Sequence, residues 1–227
     1  IGNRVNVLER PLGFVGSLSY SNSYSYYDDG EYNRWKLTGH IDEKTELDDE
    51  LTMKDQKSSN DVVLGALFNS TYKIHEDHEI GINYMFNQTG ENEVRLLTGS
   101  FPEADIDVED GRYYNASVLH YNERTLHSFQ FHGDHEFQNL RGTKFEWRAT
   151  VADASQNEPD MRYFNYHYRD RIYNGEEVRV YSLDVNQYKA PNRYFRTLDE
   201  SINEFSADLS IPIKETGDVV KKESLVK

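Results

Sequence analysis

Five carboxylates crowd the stretch Glu103, Asp105, Asp107, Glu109 and Asp110, and hard cations such as calcium want several such oxygens at once. The spacing does not complete the loop. Gly111 falls one place too late for the sharp turn of an EF-hand, and Ala116 stands where its bidentate Glu should be. A solvated acidic outer loop accounts for the run with fewer demands, and no metal site is assigned. The run Glu46, Asp48, Asp49 and Glu50 reads the same way.

Histidine is the next residue that could do chemistry. His132 and His135 are three apart, which on a strand sends them to opposite faces, and His75 and His78 fall in a tight turn. Neither pair chelates. A catalytic carboxylate pair needs two groups a few ångströms apart, and among 40 acidic residues nothing in the spacing singles one out. No G-x-S-x-G, H-E-x-x-H or P-loop pattern occurs. The expectation is therefore a protein that is not an enzyme, without catalytic, cofactor-binding or metal residues. Tyr163, Phe164, Tyr166, Tyr168, Tyr173, Tyr181 and Tyr188 could stack on a sugar or a chelate, or pack their own loop; packing is the preferred reading.

These side chains must be held by something, and composition limits what. The 227 residues carry a net charge of −15, which argues against nucleic acid, because phosphate backbones are neutralised by clustered Lys and Arg. Cysteine is absent, so disulfides and thiolate metal sites are out. The sequence opens at Ile1 without a basic or apolar leader, so a targeting signal is expected outside it. No run of about eighteen apolar residues exists, which excludes a transmembrane helix but leaves membrane-spanning strands open. Apolar residues amount to only 37%, yet there are 17 Tyr and 11 Phe. Acidic disordered chains are poor in aromatics, so a folded β protein is expected.

Period-2 alternation dominates. Leu12, Phe14, Gly16, Leu18, Tyr20, Asn22, Tyr24 and Tyr26 alternate with Val15 and Ser17, Ser19, Ser21, Ser23 and Ser25. A helix would scatter those serines around its axis, whereas a strand gathers them on one face. The same pattern places Leu64, Ala66, Phe68, Tyr72 and Ile74 opposite Gly65, Asn69, Thr71 and Lys73. It places Ile80, Ile82, Tyr84 and Phe86 opposite Glu79, Gly81, Asn83 and Asn87. Phe129, Phe131 and Phe137 lie opposite Gln130, His132, Asp134 and Glu136. Phe145, Trp147, Ala149 and Val151 lie opposite Lys144, Glu146, Arg148 and Thr150, and Phe205, Ala207, Leu209 and Ile211 lie opposite Glu204, Ser206, Asp208 and Ser210.

About six antiparallel strands follow. Tight turns at His75–His78 and Gln138–Gly142 alternate with long polar loops over 28–60, 88–111 and 158–193, and 112–137 reads as one long strand. Short turns at one end and long loops at the other is the asymmetry of outer-membrane barrels. Tyr24, Tyr26 and Tyr27 beside the first loop read as an interfacial girdle. A soluble or secreted β-sandwich binding module also alternates apolar and polar positions, and a passive porin-like channel shares the barrel; both stay open as alternatives.

Several segments carry a family resemblance. Arg10-Pro11-Leu12 followed by Gly13-Phe14-Val15-Gly16-Ser17-Leu18-Ser19-Tyr20-Ser21 resembles an early barrel strand of TonB-dependent outer-membrane receptors. Tyr121-Asn122-Glu123-Arg124-Thr125-Leu126-His127-Ser128-Phe129-Gln130, running into Gly133-Asp134-His135-Glu136-Phe137, is similar to another. Glu146-Trp147 with Ala154-Ser155-Gln156-Asn157-Glu158-Pro159-Asp160-Met161-Arg162 resembles a strand-to-loop passage of the same receptors. Thr197-Leu198-Asp199-Glu200 with Ile211-Pro212 resembles a further strand. These segments touch most of the chain, and their order carries the likeness.

The resemblance implies an outer-membrane location in a Gram-negative bacterium and a barrel of about 22 strands. It also implies a plug domain that contacts TonB and import of a scarce small nutrient. Residues 1–227 would then be part of one transmembrane β-barrel domain, too short to close it and without the plug. The partners implied are membrane lipid, the plug, the remaining strands and, through the plug, TonB. In that setting the sequons at Asn69, Asn87 and Asn115 carry no glycan.

Overall fold

The computed structural model describes residues 1–40, 42, 46–183 and 191–212. Nearly all of them belong to one antiparallel sheet of eight strands: β1 (Gly2–Val7), β2 (Arg10–Lys36), β3 (Asp48–His75), β4 (His78–Ser100), β5 (Arg112–Phe137), β6 (Thr143–Tyr173), β7 (Glu176–Ser182) and β8 (Asn192–Ser210). Neighbours in sequence pair in order from β1 to β7, and β8 also pairs with β6. β7 meets β6 from His167 to Tyr173, and β8 meets it from Lys144 to Tyr163. The two therefore act as one descending strand interrupted by the segment between them. Among the described residues the sheet does not close, and no second layer covers it. No helix there is long and apolar enough to cross a membrane, which has no bearing on crossing by strands.

The expected alternations fall into register. Directly paired residues of an antiparallel ladder share a face. Across the sheet the ladder runs Gly16–Phe68–Tyr84–Phe129–Val151 and Leu18–Ala66–Phe86–His127. Near the short turns it continues through Phe131–Ala149–Phe205 and His135–Phe145–Leu209. All six apolar sets thus lie on one side. That side is bare: Leu18 is 83% exposed and Phe205 70%. The opposite side carries the serines of β2, Asn69, Asn83, Gln130 and Thr150. Asn83 donates to Gln130 at 3.0 Å, and Gln130 reaches Thr150 at 3.4 Å.

The tight turns at His75–His78 and Gln138–Gly142 and the single strand over 112–137 stand as expected. Three other expectations are corrected. The described residues form eight strands rather than about six, because β7 falls in the stretch read as the 158–193 loop and β1 precedes the first strand that the alternation marks. The polar stretches 28–60, 88–111 and 158–193 do not stand as long loops: β2, β3, β4 and β6 run on into them, β7 lies within the last, and 101–111 and 174–175 are connections among the described residues. The physical reason is that a ladder needs only a partner strand, and where the sheltered side of a strand is polar, as at Asp55 and Ser59 on β3, no apolar alternation marks it. Bulges also break the period. The register slips between Tyr27 and Gly30 on β2 and between Glu158 and Met161 on β6, and Pro159, which cannot donate to a ladder, sits in the second slip as proline in a sheet must.

Third, Tyr27 does not belong to a girdle with Tyr24 and Tyr26. It faces the other way, and its hydroxyl donates to Asp55 Oδ2 at 2.8 Å. A cluster of aromatic and histidine rings lies instead at the short-turn end of the apolar side. There His75, His78, His135, Phe137 and Phe145 contact one another ring to ring, and Trp147 Nε1 donates to His135 Nε2 at 3.1 Å. The indole lies across Gly133, where a Cβ would collide with it.

Candidate functional site

The polar side becomes a site above the apolar band. Two bulges prepare it. Past the slip at Asp28–Asp29 the even residues of β2 turn to this side, and past Pro159–Asp160 the odd residues of β6 do, so Tyr32, Arg34, Met161 and Tyr163 join Met53, Arg95, Leu97 and Val118 on one surface. Lining residues come from β2, β3, β4, β5, β6 and the 101–111 connection, which makes this the hollow side of the sheet. The concavity measures about 800 Å³, within the range of small-molecule sites.

Its floor carries ion pairs between β3 and β4, between β5 and β6 and between β6 and β8. Arg95 grips Asp55 with two parallel bonds, Nε to Oδ1 at 2.8 Å and Nη2 to Oδ2 at 2.6 Å, and Asp55 is only 3% exposed. Lys57 meets Glu93 at 2.7 Å. His120 stands directly across from Glu93 and lies 3.5 Å from Glu158. Glu158 also accepts from Gln156 at 2.7 Å and pairs with Arg196 at 2.5 Å. The Arg95 guanidinium holds the Asp55 carboxyl below its ordinary range, against the opposing effect of burial. For Glu158 burial is the largest influence and pushes upward, but the bonds from Gln156 and Arg196 outweigh it and the net shift is downward. Asp160, held by Arg193 and Arg162, is lowered far more. These groups stay ionised because each negative charge has a fixed positive partner, as such groups require when taken out of water.

A small apolar cluster closes one side. Ile106, 3% exposed, inserts from the 101–111 connection among Leu51, Met53 and Tyr114, with Phe101 edge-on to Tyr114. This assigns the acidic run its local partners. Glu103 pairs with Lys36 at 3.3 Å and Asp105 with Arg112. Asp107 accepts from Ser100 Oγ at 3.2 Å and from the Glu109 amide at 3.0 Å, capping a turn that ends at Gly111 with φ 69°. In the other acidic run, Glu50 pairs with Arg34 at 3.1 Å. Among the described residues no three His, Asp or Glu side chains converge as a metal site would need. His132 and His135 lie on opposite faces, and the rings of His75 and His78 are 5.7 Å apart in their turn.

The aromatics expected in a loop are on strands, because β6 and β7 extend through that stretch, and they divide between the faces. Tyr163 enters the concavity. Phe164, Tyr166, Tyr168 and Tyr181 form an outward ring cluster, with Arg179 over Tyr168 at 4.2 Å; Tyr173 is exposed near the hairpin, and Tyr188 lies outside the described residues. Asp55, Arg95 and His120 were not singled out from the sequence, Tyr27 was read only as part of a girdle, and Glu158 only within the strand-to-loop segment. The signal that could have found them is complementary charge on paired stretches: Asp55 and Lys57 on one, Glu93 and Arg95 on the other.

No family model, curated protein or solved structure matches the chain.

Proposed function

We propose that this chain is part of the wall of a TonB-dependent outer-membrane receptor that binds and imports a scarce nutrient. One observation carries the reading: six two-faced strands set their apolar residues in register on one uncovered side of a single sheet. On β2 the apolar set runs from Leu12 to Tyr20 and on β3 from Val62 to Tyr72. These lengths match the roughly 9–11 tilted residues a membrane-crossing strand needs. Water would leave such a face uncompensated; lipid covers it. Aromatic residues bound the band at both ends, as they do at membrane interfaces.

The wet side then lines the passage, and the concavity above the band is where a ligand from outside is held. The wall performs no chemistry. The open edge along β8 and the edge of β2 beyond Val15, unpaired among the described residues, suit the remaining strands of a barrel, while the plug and its TonB contact rest on the family resemblance. Fractionation of bacteria making the whole protein tests the reading. It should stay with the outer membrane until detergent is added; recovery in the soluble fraction would overturn it. A passive porin-like channel shares the wall and is separated by uptake, which should stop when the inner-membrane proton gradient is collapsed.

A further inference from the structure

We propose that the concavity above these ion pairs takes a neutral oligosaccharide, an inference that rests on reading the chain as the wall of an import barrel. Charge makes the first selection. The cations at and beneath the hollow each have a carboxylate: Arg34 has Glu50 at 3.1 Å, Arg95 has Asp55 at 2.6 Å, Lys57 has Glu93 at 2.7 Å, Lys36 has Glu103 at 3.3 Å and Arg196 has Glu158 at 2.5 Å. Five positive and five negative charges cancel, within a chain whose net charge is −15. An anionic chelate or a phosphate would need a cation to spare, since recognition of such groups draws on unshared Arg or Lys. A cationic ligand would need a spare carboxylate. Neither is offered.

The surface chemistry makes the second selection. The apolar lining residues Leu51, Met53 and Tyr114 are packed against Ile106, and Leu97, Phe101 and Ala116 lean on the same cluster, which leaves Val118 and Met161 as the larger apolar side chains of the hollow outside it. A ring stands on each side, Tyr32 from β2, with the Arg95 guanidinium 5.2 Å from its centre, and Tyr163 from β6, with fixed ion-pair donors and acceptors between them. Four strand spacings separate those rings, at most about 19 Å at the usual 4.8 Å. A sugar presents a C–H face that lies on an aromatic ring, and hydroxyls that both give and take hydrogen bonds from ion pairs without disturbing their charge. Several linked sugars fit a hollow of this span, size and neutrality.

The test uses the whole protein, extracted from outer membranes in detergent and applied to an array of neutral, uronate-bearing and sulfated oligosaccharides. Capture by neutral members, competed by the same free oligosaccharide, is expected. Tyr32→Ala and Tyr163→Ala should each weaken it at least about tenfold, while Ser17→Ala, far below the hollow, leaves it unchanged. Heat-shifted gel mobility of each variant checks that the barrel is intact. Capture by anionic members alone, or by none, from protein that still fractionates with the outer membrane overturns the ligand assignment and leaves the barrel standing. Protein that leaves the membrane fraction overturns both.

Discussion

Leu18 and Ser17 are adjacent on β2 and face opposite ways, so an arginine at each position separates a lipid-covered sheet from one in water. Leu18 is 83% exposed in the chain and lies within the apolar band, across from Ala66. If lipid covers it, Leu18→Arg gives up most of a leucine's transfer energy, about 2 kcal/mol. It also places a guanidinium near mid-membrane, which costs ~2–4 kcal/mol on a barrel's outer face and less toward the interface. The sum is about 4–6 kcal/mol at mid-membrane and less toward the interface. If water covers it, an exposed Leu→Arg change is worth within about 0.5 kcal/mol. Ser17→Arg points to the wet side and is near neutral in either case. The assay is guanidinium unfolding of the protein inserted in phospholipid vesicles, followed by tryptophan emission. Equal midpoints for the two variants would refute the assignment of faces.

Three further outcomes follow from the geometry. Asp55→Asn leaves Arg95 without its carboxylate; the side chain of Arg95 is 30% exposed, so the loss is discounted from the fully buried case to about 2 kcal/mol, read as a lower unfolding midpoint. Because the Asp55 carboxyl is lowered from 3.8, its contribution is complete above that pH and is lost as pH falls through the folded value; stability against pH should fall less steeply there for the Asn variant than for the native chain, with Glu158 and Asp160 supplying the remaining slope. Gly133→Ala drives a methyl into the Trp147 ring, costing about 1–3 kcal/mol and shifting tryptophan emission, whereas an unchanged spectrum and midpoint would mean that the indole lies elsewhere. Ile106→Ala removes the anchor of the 101–111 connection at about 2 kcal/mol, and limited proteolysis should then cut within 101–111 while the sheet stays protected.

The apolar side was legible because a strand with one apolar and one polar face must alternate, and Leu12 to Tyr26 do so with serine at most intervening places. The strand extensions were not legible for the converse reason. Lys54 to Asn60 has water or polar and charged partners on both sides, and its regularity comes from pairing with Asn92 to Thr98, a long-range fact that no local pattern encodes. β1 hid behind a turn at Leu8 and Glu9, both at positive φ without the usual Gly or Asn. β7 left a clue in Asn174-Gly175, the favoured pair for a two-residue hairpin, both also at positive φ. The site was out of reach because bulges at Asp28–Asp29 and Pro159–Asp160 swap the parity of β2 and β6 and bring Tyr32 and Tyr163 to a side their lower halves do not predict.

The continuation of β6 from Val151 to Tyr173 has a thermodynamic consequence. Twenty-two residues at about 3.3 Å each, tilted near 40°, rise roughly 55 Å past the band. On the proposed reading, a molecule drifting in from outside meets a stiff palisade, already laced by main-chain bonds, instead of loose tethers that must first settle around it. Settling would cost on the order of 1–2 kcal/mol for each residue fixed, so almost none of the contact energy is diverted to ordering the host. The corresponding limit is on adaptability: such a vestibule acquires a new cargo by exchanging side chains on its ribs, not by reshaping a lip.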